Sequence, residues 1–562
     1  MNGNIESIHI AKGIYYRAET AEGDCGSLLT ALNSKFIGKI CGLHVAGGAG
    51  VGCSIPVYQE KLAKVIPLGP QGPETSGVIP STPCVPEGAF LPIGRLPFMA
   101  NSATKSQLVH SPIVGALQDP LCAAAPLRNV IVDDKEISPM WEGLKKCANV
   151  SILIDQDIVD TCVENLTDVY KNLTDRTPRI LTIDEAVFGI EGDKYLDSLT
   201  TTTSAGFPWS HFTEKGKAGK KTWIDLDNKT IDPKLVESIE KRIADAKVGK
   251  RYPTLWHDQL KDERRPHAKV QMGKTRVFSA SPMDFTIACR MYFGAFVANQ
   301  AANRIANGSA VGINPYSVEW QMVATRLRKN GPRVVAGDYT NWDGAISKQM
   351  LDASLTVVNN WYDDEQGNQV RQILMEEISN SIHVFRDSVY GWTHSMPSGV
   401  YLTAPINTVI GCLFIRIFFM LAAPPAMRSM QCFMDNVTEI VYGDDNVMNI
   451  SAKCISFFNQ QSITEVASMI GLTYTDETKS TSKIPFRTIE QVTFLKRNFF
   501  FDSTVGRYIS QLSKEAIQEI PNWISTKQNA ADVLSSSCES VLYECAMYDK
   551  NYFDSVQKKL KQ

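Results

Sequence analysis

Hydrophobic and polar positions change rhythm several times along the chain. Up to residue 66, short apolar runs alternate with glycine, as in FIGKICGLHVAGGAGVGCSIPV, which predicts β-hairpins. From Pro67 to Pro97 proline and glycine dominate, and the composition predicts a linker or extended arm. Residues 130–250 read as mixed helices and loops. The segment VTEIVYGDDNVMNI, Val437 to Ile450, places two β-prone runs around Gly443-Asp444-Asp445, predicting a hairpin with two acids at its tip. In RVVAGDYTNWDGAIS, a strand Val334-Val335-Ala336 delivers Asp338 at its end, and Asp343 follows five residues later. The longest apolar stretch, Thr408 to Met427, has Arg416 in its middle and ends at Pro424-Pro425, so it reads as a buried helix rather than a membrane span. The tail, residues 511–562, reads as helical, with Leu534, Cys538, Val541, Leu542 and Cys545 on one face.

Composition narrows the picture modestly. The 562 residues are 44% hydrophobic and 21% charged, fitting three or four domain-sized units or one large multi-lobed enzyme. A formal charge of −3 gives no global sign of a nucleic-acid binder, so any such function rests on local patches. One patch stands out: His211 to Arg276 holds 17 Lys and Arg against 10 Asp and Glu. Within it, KDERRPHAKVQMGKTR mixes charges with glycine, proline and valine, as a ribbon does. The thirteen cysteines never stand three apart, and Cys41, His44 and Cys53 lack a fourth ligand, so no zinc site is expected. Their irregular spacing fits reduced thiols, and no signal peptide is expected. GGAGVG is a decoy for a dinucleotide loop, since no helix pattern follows it.

The acids carry the chemistry. Adjacent carboxylates repel, and a turn carrying them is stabilised by a bound cation. By itself such a Gly/Asp turn also serves as a plain connection between strands. If Asp338 and Asp444 lie side by side on adjacent strands, they form a carboxylate site for two Mg²⁺ ions, which favour oxygen ligands and retained waters. Two metals about 4 Å apart activate an attacking oxygen and stabilise a leaving one.

With these segments in order, the chain resembles the RNA-dependent RNA polymerases of picorna-like positive-strand RNA viruses, nearest to dicistrovirus and marnavirus types. The resemblance implies an α+β right-hand fold of fingers, palm and thumb with a β-α-β palm core. It divides the chain into residues 1–71, 72–291 (fingers), 292–498 (palm with an interleaved finger segment) and 499–562 (thumb). GDYTNWD looks like motif A and YGDD like motif C, which makes Asp338 and Asp444 metal ligands and Asp445 a secondary ligand. WTHSMPSGVYLTAPINTVIG looks like motif B, with Ser398-Gly399 a flexible loop and Thr403 and Asn407 on the following helix. The family uses this Asn with the second motif A acid, here Asp343, to read the ribose 2′-OH, a group that both donates and accepts.

The basic ribbon resembles motif F, with Lys261, Arg265, Lys274 and Arg276 over the incoming triphosphate. TTTSAGFPW resembles motif G, placing Ser204, Ala205 and Gly206 along the template entry, with a plain Ser/Gly/Pro turn as the alternative. YTDETKSTSKIP looks like motif D and makes Lys479 the candidate general acid toward departing pyrophosphate. FLKRNF resembles motif E, with Lys496 and Arg497 available for primer phosphates.

The front of the chain resembles a different protein. GDCGSLL looks like the nucleophile turn of the chymotrypsin-like cysteine protease that precedes such polymerases, matching Cys25 to the nucleophile and His44 to the specificity pocket. The family's catalytic histidine and acid have no counterpart here, so the fragment is expected to be inactive. Because that protease prefers glutamine before the cut, PLGPQ/GPETS makes Gln71-Gly72 a candidate junction; an ordinary turn is the other reading. The expected partners are RNA template and nascent strand, nucleoside triphosphates, a small viral protein primer and other viral replication proteins. The expected cofactor is Mg²⁺, which Mn²⁺ can replace. The expected setting is host cytoplasm, at membrane-associated replication complexes. Two other readings compete: a processing precursor or protease-type hydrolase whose polymerase activity is silent until cleavage, and a structural RNA-binding protein with a decayed catalytic site. The second is disfavoured by the presence of Asp338, Asp343, Asp444, Asn407 and Lys479.

Overall fold

The computed structural model describes residues 13–17, 27–30, 40–48, 50–58, 91–100, 102–148, 152–478 and 484–562. Near the start, four antiparallel strands pair in the order Ile14–Arg17, Val51–Pro56, Ile40–Gly48, Leu28–Thr30. This is the expected hairpin-rich segment.

A five-stranded sheet follows, in the order Val277–Ala280, Leu255–Leu260, Ile382–Phe385, Ser388–Gly391, Leu91–Arg95. Its last strand belongs to the proline-rich arm. That arm continues to Leu108–His110, which pairs with Trp523–Ser525 near the C-terminus, and then to Cys122–Ala124, which pairs with Arg264–Pro266. An extended arm has unspent backbone donors and acceptors, and one sheet edge and two single partner strands take them up. Trp523–Ser525 is therefore a strand inside the tail expected to be helical. The rest of that tail is the helices Lys514–Glu519, Ala530–Cys545 and Lys550–Lys561. Val541 and Cys545 are buried and Leu534, Cys538 and Leu542 half-buried, as the period implies.

The sheet that positions the site has four antiparallel strands in the order Val437–Tyr442, Asp445–Ile450, Val334–Tyr339, Tyr474–Asp476. Side chains alternate between its faces. Val335, Tyr339, Val441 and Met448 join the large helical core, while Val334, Ala336, Ile440 and Val447 pack with Trp320, Phe494 and Phe499. Both faces are covered, so these strands read as almost continuous apolar runs.

Helix Thr403–Ala422 lies in the helical core and is apolar on every side. Its length and composition would allow a membrane span, but 89% of its most apolar window is buried inside the protein. Arg416 resolves its own burial by donating to Asn165 Oδ1 at 2.8 Å, Cys412 O at 3.0 Å and Glu439 Oε1 at 3.1 Å.

Candidate active site

Asp338 is the fifth residue of strand Val334–Tyr339, and its backbone sits opposite Thr475. The neighbouring hairpin closes through Gly443-Asp444, with Tyr442 opposite Asp445. Gly443 adopts φ +63°, which glycine reaches without the steric cost that a Cβ imposes. Asp444 is thus at the tip, whereas Asp445 begins the returning strand rather than sharing the tip. Two side chains brace this turn. Thr408 Oγ1 accepts from Gly443 N at 2.9 Å, and Asn446 Nδ2 donates to Asp444 O at 2.9 Å while Tyr474 holds its Oδ1. Neither Thr408 nor Asn446 was singled out in the sequence, because such bracing appears only once helix and hairpin are packed.

The acids load one another electrostatically. Asp444 and Asp445 present oxygens to solvent, yet the surrounding walls remove enough water to raise both carboxyls. The charges of Asp338 on Asp444, and of Asp444 and Asp338 on Asp445, add to that. Asp445 is pushed up to about 6. Asp343, on the turn Trp342–Ala345, is raised to about 6 by burial and by Asp444, against the opposing pull of Asn407 and Arg276. Asn407 Nδ2 donates to Asp343 Oδ1 at 2.9 Å, while Asn407 Oδ1 is buried without a partner among the described residues. That orphan acceptor is free for a donor from a bound molecule.

A cleft of about 490 Å³ takes in part of this set; Asp338 and Asp445 are not among the residues that line it. Asp343, Asn407, Ser398, Thr403, Asp444, Lys261 and Arg276 all line it. Thr403 Oγ1 donates to Val400 O at 2.9 Å, shaping the loop ahead of its helix. Gly399 packs so tightly on Ser279 that a Cβ would lie 2.1 Å from the Ser279 carbonyl oxygen. Of the four basic residues expected here, Lys261 and Arg276 line the cleft, tied by a 2.9 Å bond from Lys261 N to Arg276 O. Glu263 holds Arg276 and lies 3.7 Å from Arg265; neither Arg265 nor Lys274 lines the cleft. The sequence reading missed Lys146, Asp258 and His383, which also line the cleft and stand in no recognisable local pattern; Trp392, at the head of the motif B segment, lines it too.

The remaining expected residues divide. Ser204 Oγ accepts from Gly206 N at 3.1 Å, Ala205 O accepts from Met283 N at 2.9 Å, and Gly206 packs against the Ser281 backbone, which places this turn beside the strand end that supports Gly399. Lys496 lies in a two-residue turn with Leu495, both at positive φ, and its charge bears on Asp445. Arg497 departs from its expected role at primer phosphates. It is 8% exposed, and its guanidinium is bound by Glu544, by Tyr316 Oη and by Ser510 O. The side chain faces inward because the tight turn at Leu495-Lys496 begins a new strand at Arg497. His44 is buried, with Nδ1 2.5 Å from Tyr16 Oη. Cys25, Gln71, Gly72 and Lys479 lie outside the described residues.

Among the described residues no three Asp, Glu, His or Cys side chains gather as a ready-made metal cage. The donor set nonetheless fits Mg²⁺, which keeps several waters and needs only one or two carboxylates plus substrate phosphates. Asp338 and Asp444 are oxygen donors on adjacent parts of the sheet, and the charge of Asp338 helps to raise the Asp444 carboxyl.

Comparison with known proteins identifies the family. The profile of viral RNA-dependent RNA polymerases matches residues 146–561, and the chain belongs to that family of RNA-directed RNA polymerases. The 3C cysteine protease (picornain 3C) profile matches residues 2–50. Among curated proteins, the chain is 33% identical over 589 residues to the replicase polyprotein of Acute bee paralysis virus, covering 98% of this chain and 31% of the relative. It is 34% identical over 605 residues to that of Drosophila C virus, covering 98% of this chain and 34% of the relative. The chain thus spans about a third of the length of these relatives. A Sicinivirus 3Dpol RNA-dependent RNA polymerase superposes with a TM-score of 0.70 at 22% identity, over 84% of this chain and 94% of that one, and so shares the fold.

Proposed function

We propose that this chain replicates a positive-strand RNA genome by transferring nucleotides from triphosphates to an RNA 3′-OH on an RNA template. The observation that carries the reading is one cleft holding both Asp444 at a hairpin tip and the Asp343–Asn407 pair, faced by Lys261 and Arg276. Asp338 and Asp444, with Asp445 near them, would hold two Mg²⁺ ions, or Mn²⁺ in their place. Bound there, the ions supply Lewis acidity for phosphoryl transfer and ease deprotonation of the attacking hydroxyl. Asp343 and Asn407 meet the ribose 2′-OH, the unpartnered Asn407 Oδ1 accepting from it. Lys261 and Arg276 clamp the triphosphate. Lys479 serves as the general acid.

The front segment is read as part of a 3C-like cysteine protease, with Cys25 matching its nucleophile and His44 its pocket. Its presence ahead of the polymerase profile supports a polyprotein origin, with release at Gln71-Gly72. A small viral protein primer, other replication proteins and host-cytoplasmic membrane complexes complete the setting. Labelled nucleotide incorporation on a primed RNA template with Mg²⁺ tests the reading. Residues 1–562 and 72–562 are compared with Asp444→Ala. Activity absent from every wild-type form would overturn it; activity only from residue 72 onward would make cleavage the switch.

A further inference from the structure

Lys146 lies outside every segment that the sequence singled out, in the short turn Lys145–Ala148. It is exposed and lines the cleft that holds Lys261, Arg276, Asp343 and Asp444. The cleft walls dehydrate the ammonium, and Arg265, Lys269 and Arg276 crowd it with like charge, so it is held below the usual lysine range; only the Cys147 thiol opposes them. Arg276, by contrast, has Glu263 beside it. Lys146, Lys261 and Arg276 line the same cleft as Asp343 and Asp444, and cations beside acids suit a polyanion that arrives with its own cations.

The backbone around Lys146 is gripped by the segment that carries Asp343. Asn341 sits between Asp338 and Asp343 in the left-handed region, at φ 61° and ψ 43°. Its side-chain amide donates to Lys146 O. Gly344 closes on the same carbonyl so tightly that a Cβ there would lie 2.5 Å from the oxygen. The turn carrying Asp343 and the turn carrying Lys146 are thus clipped together, whereas no ion pair fixes the Lys146 ammonium among the described residues.

We propose that Lys146 is a further phosphate-binding cation of the nucleotide cleft, and that Asn341 is a positioning residue that sets it relative to Asp338 and Asp343. The inference rests on the polymerase reading and names a contact for its substrate. Nucleotide incorporation kinetics on a primed template test it. Lys146→Met is expected to raise KM for the nucleoside triphosphate roughly tenfold, with kcat changed less than about threefold, and Lys146→Arg to recover most of that loss. Asn341→Gly keeps the left-handed backbone and removes only the amide. It is expected to raise KM by a smaller factor and to shrink the effect of Lys146→Met in the double variant.

An unchanged KM in Lys146→Met, or effects that simply multiply in the double variant, overturns the proposal. Anisotropy of a fluorescent nucleoside triphosphate, read without RNA or turnover, separates it from the reading beneath it. Weaker binding by Lys146→Met in a chain that incorporates nothing supports the phosphate site and sinks the polymerase reading. Equal binding by both forms sinks the site alone.

Discussion

Two regions of this protein concentrate charge, and they are built on opposite plans. Beneath the five-stranded sheet, Arg242 is 1% exposed and donates to Asp284 Oδ2 at 2.6 Å, Glu377 Oε2 at 2.6 Å and Thr254 Oγ1 at 2.7 Å. Asp284 also accepts from Trp209 and Ser238. Nearly every lone pair there has a donor. In the cleft, Asp343 and Asp444 line the wall and both are raised, as is Asp445 beside them, while Asn407 keeps an unused oxygen. A satisfied network holds a fold. An unsatisfied one of like charge waits for a ligand, and the difference is visible in partners rather than in burial.

The contrast breaks most sharply at the two acids proposed to hold metal. Asp338→Ala and Asp444→Ala are each expected to cut nucleotide incorporation by at least about a thousandfold without lowering thermal stability. A loss of stability equal to the loss of activity would put these acids in the structural class. Arg242→Ala is the mirror case. Stranding two buried carboxylates is expected to cost about 3–5 kcal/mol, read as a lower denaturant midpoint, because the surviving charges stay buried. Third in size, Asn407→Ala is expected to lower discrimination between ribonucleotides and 2′-deoxynucleotides roughly ten- to a hundredfold in competitive incorporation, since one buried partner is lost.

The smallest effect sharpens the comparison through pH. Asp343 and Asp445 are held near about 6, against an unfolded value of about 4. Between those values the folded chain binds more protons than the unfolded one, so stability from these groups is full below about pH 4 and is lost as pH rises through about 6. Without divalent cation, the melting temperature should therefore gain less, or fall, on going from pH 5 to 7, and Asp445→Asn should flatten its share of that trend and raise the value at pH 7 by a few degrees. Adding Mg²⁺ should stabilise the wild type more than Asp445→Asn. A variant no more stable than wild type at pH 7 in chelator would show that the acids do not strain the cleft.

Much of the catalytic strand set was legible before the fold was known. The β-prone runs around YGDD, the strand ahead of Asp338 and the apolar helix after Asn407 are local patterns of period and punctuation, and each forms where expected. Arg497 shows the limit: next to Lys496 in sequence it looks equally available, but the turn sends it into the pair with Glu544, 47 residues away. Glu544 itself is a charged residue buried in a helix whose apolar period says nothing about it. Likewise Arg265 and Lys274 share their segment with Lys261 and Arg276, yet only the latter two line the cleft.

Sequence alone determined which residue types stand at which spacing, and so the strands, the acidic turn, the extended arm and the family. Tertiary structure decided which charges find partners and which are left facing a ligand. Spacing acts within a few residues, through backbone periodicity and turn geometry. Pairing is settled by contacts between segments far apart in the chain, such as Asn341 with Lys146, Asn407 with Asp343 and Arg497 with Glu544, and no local pattern encodes those.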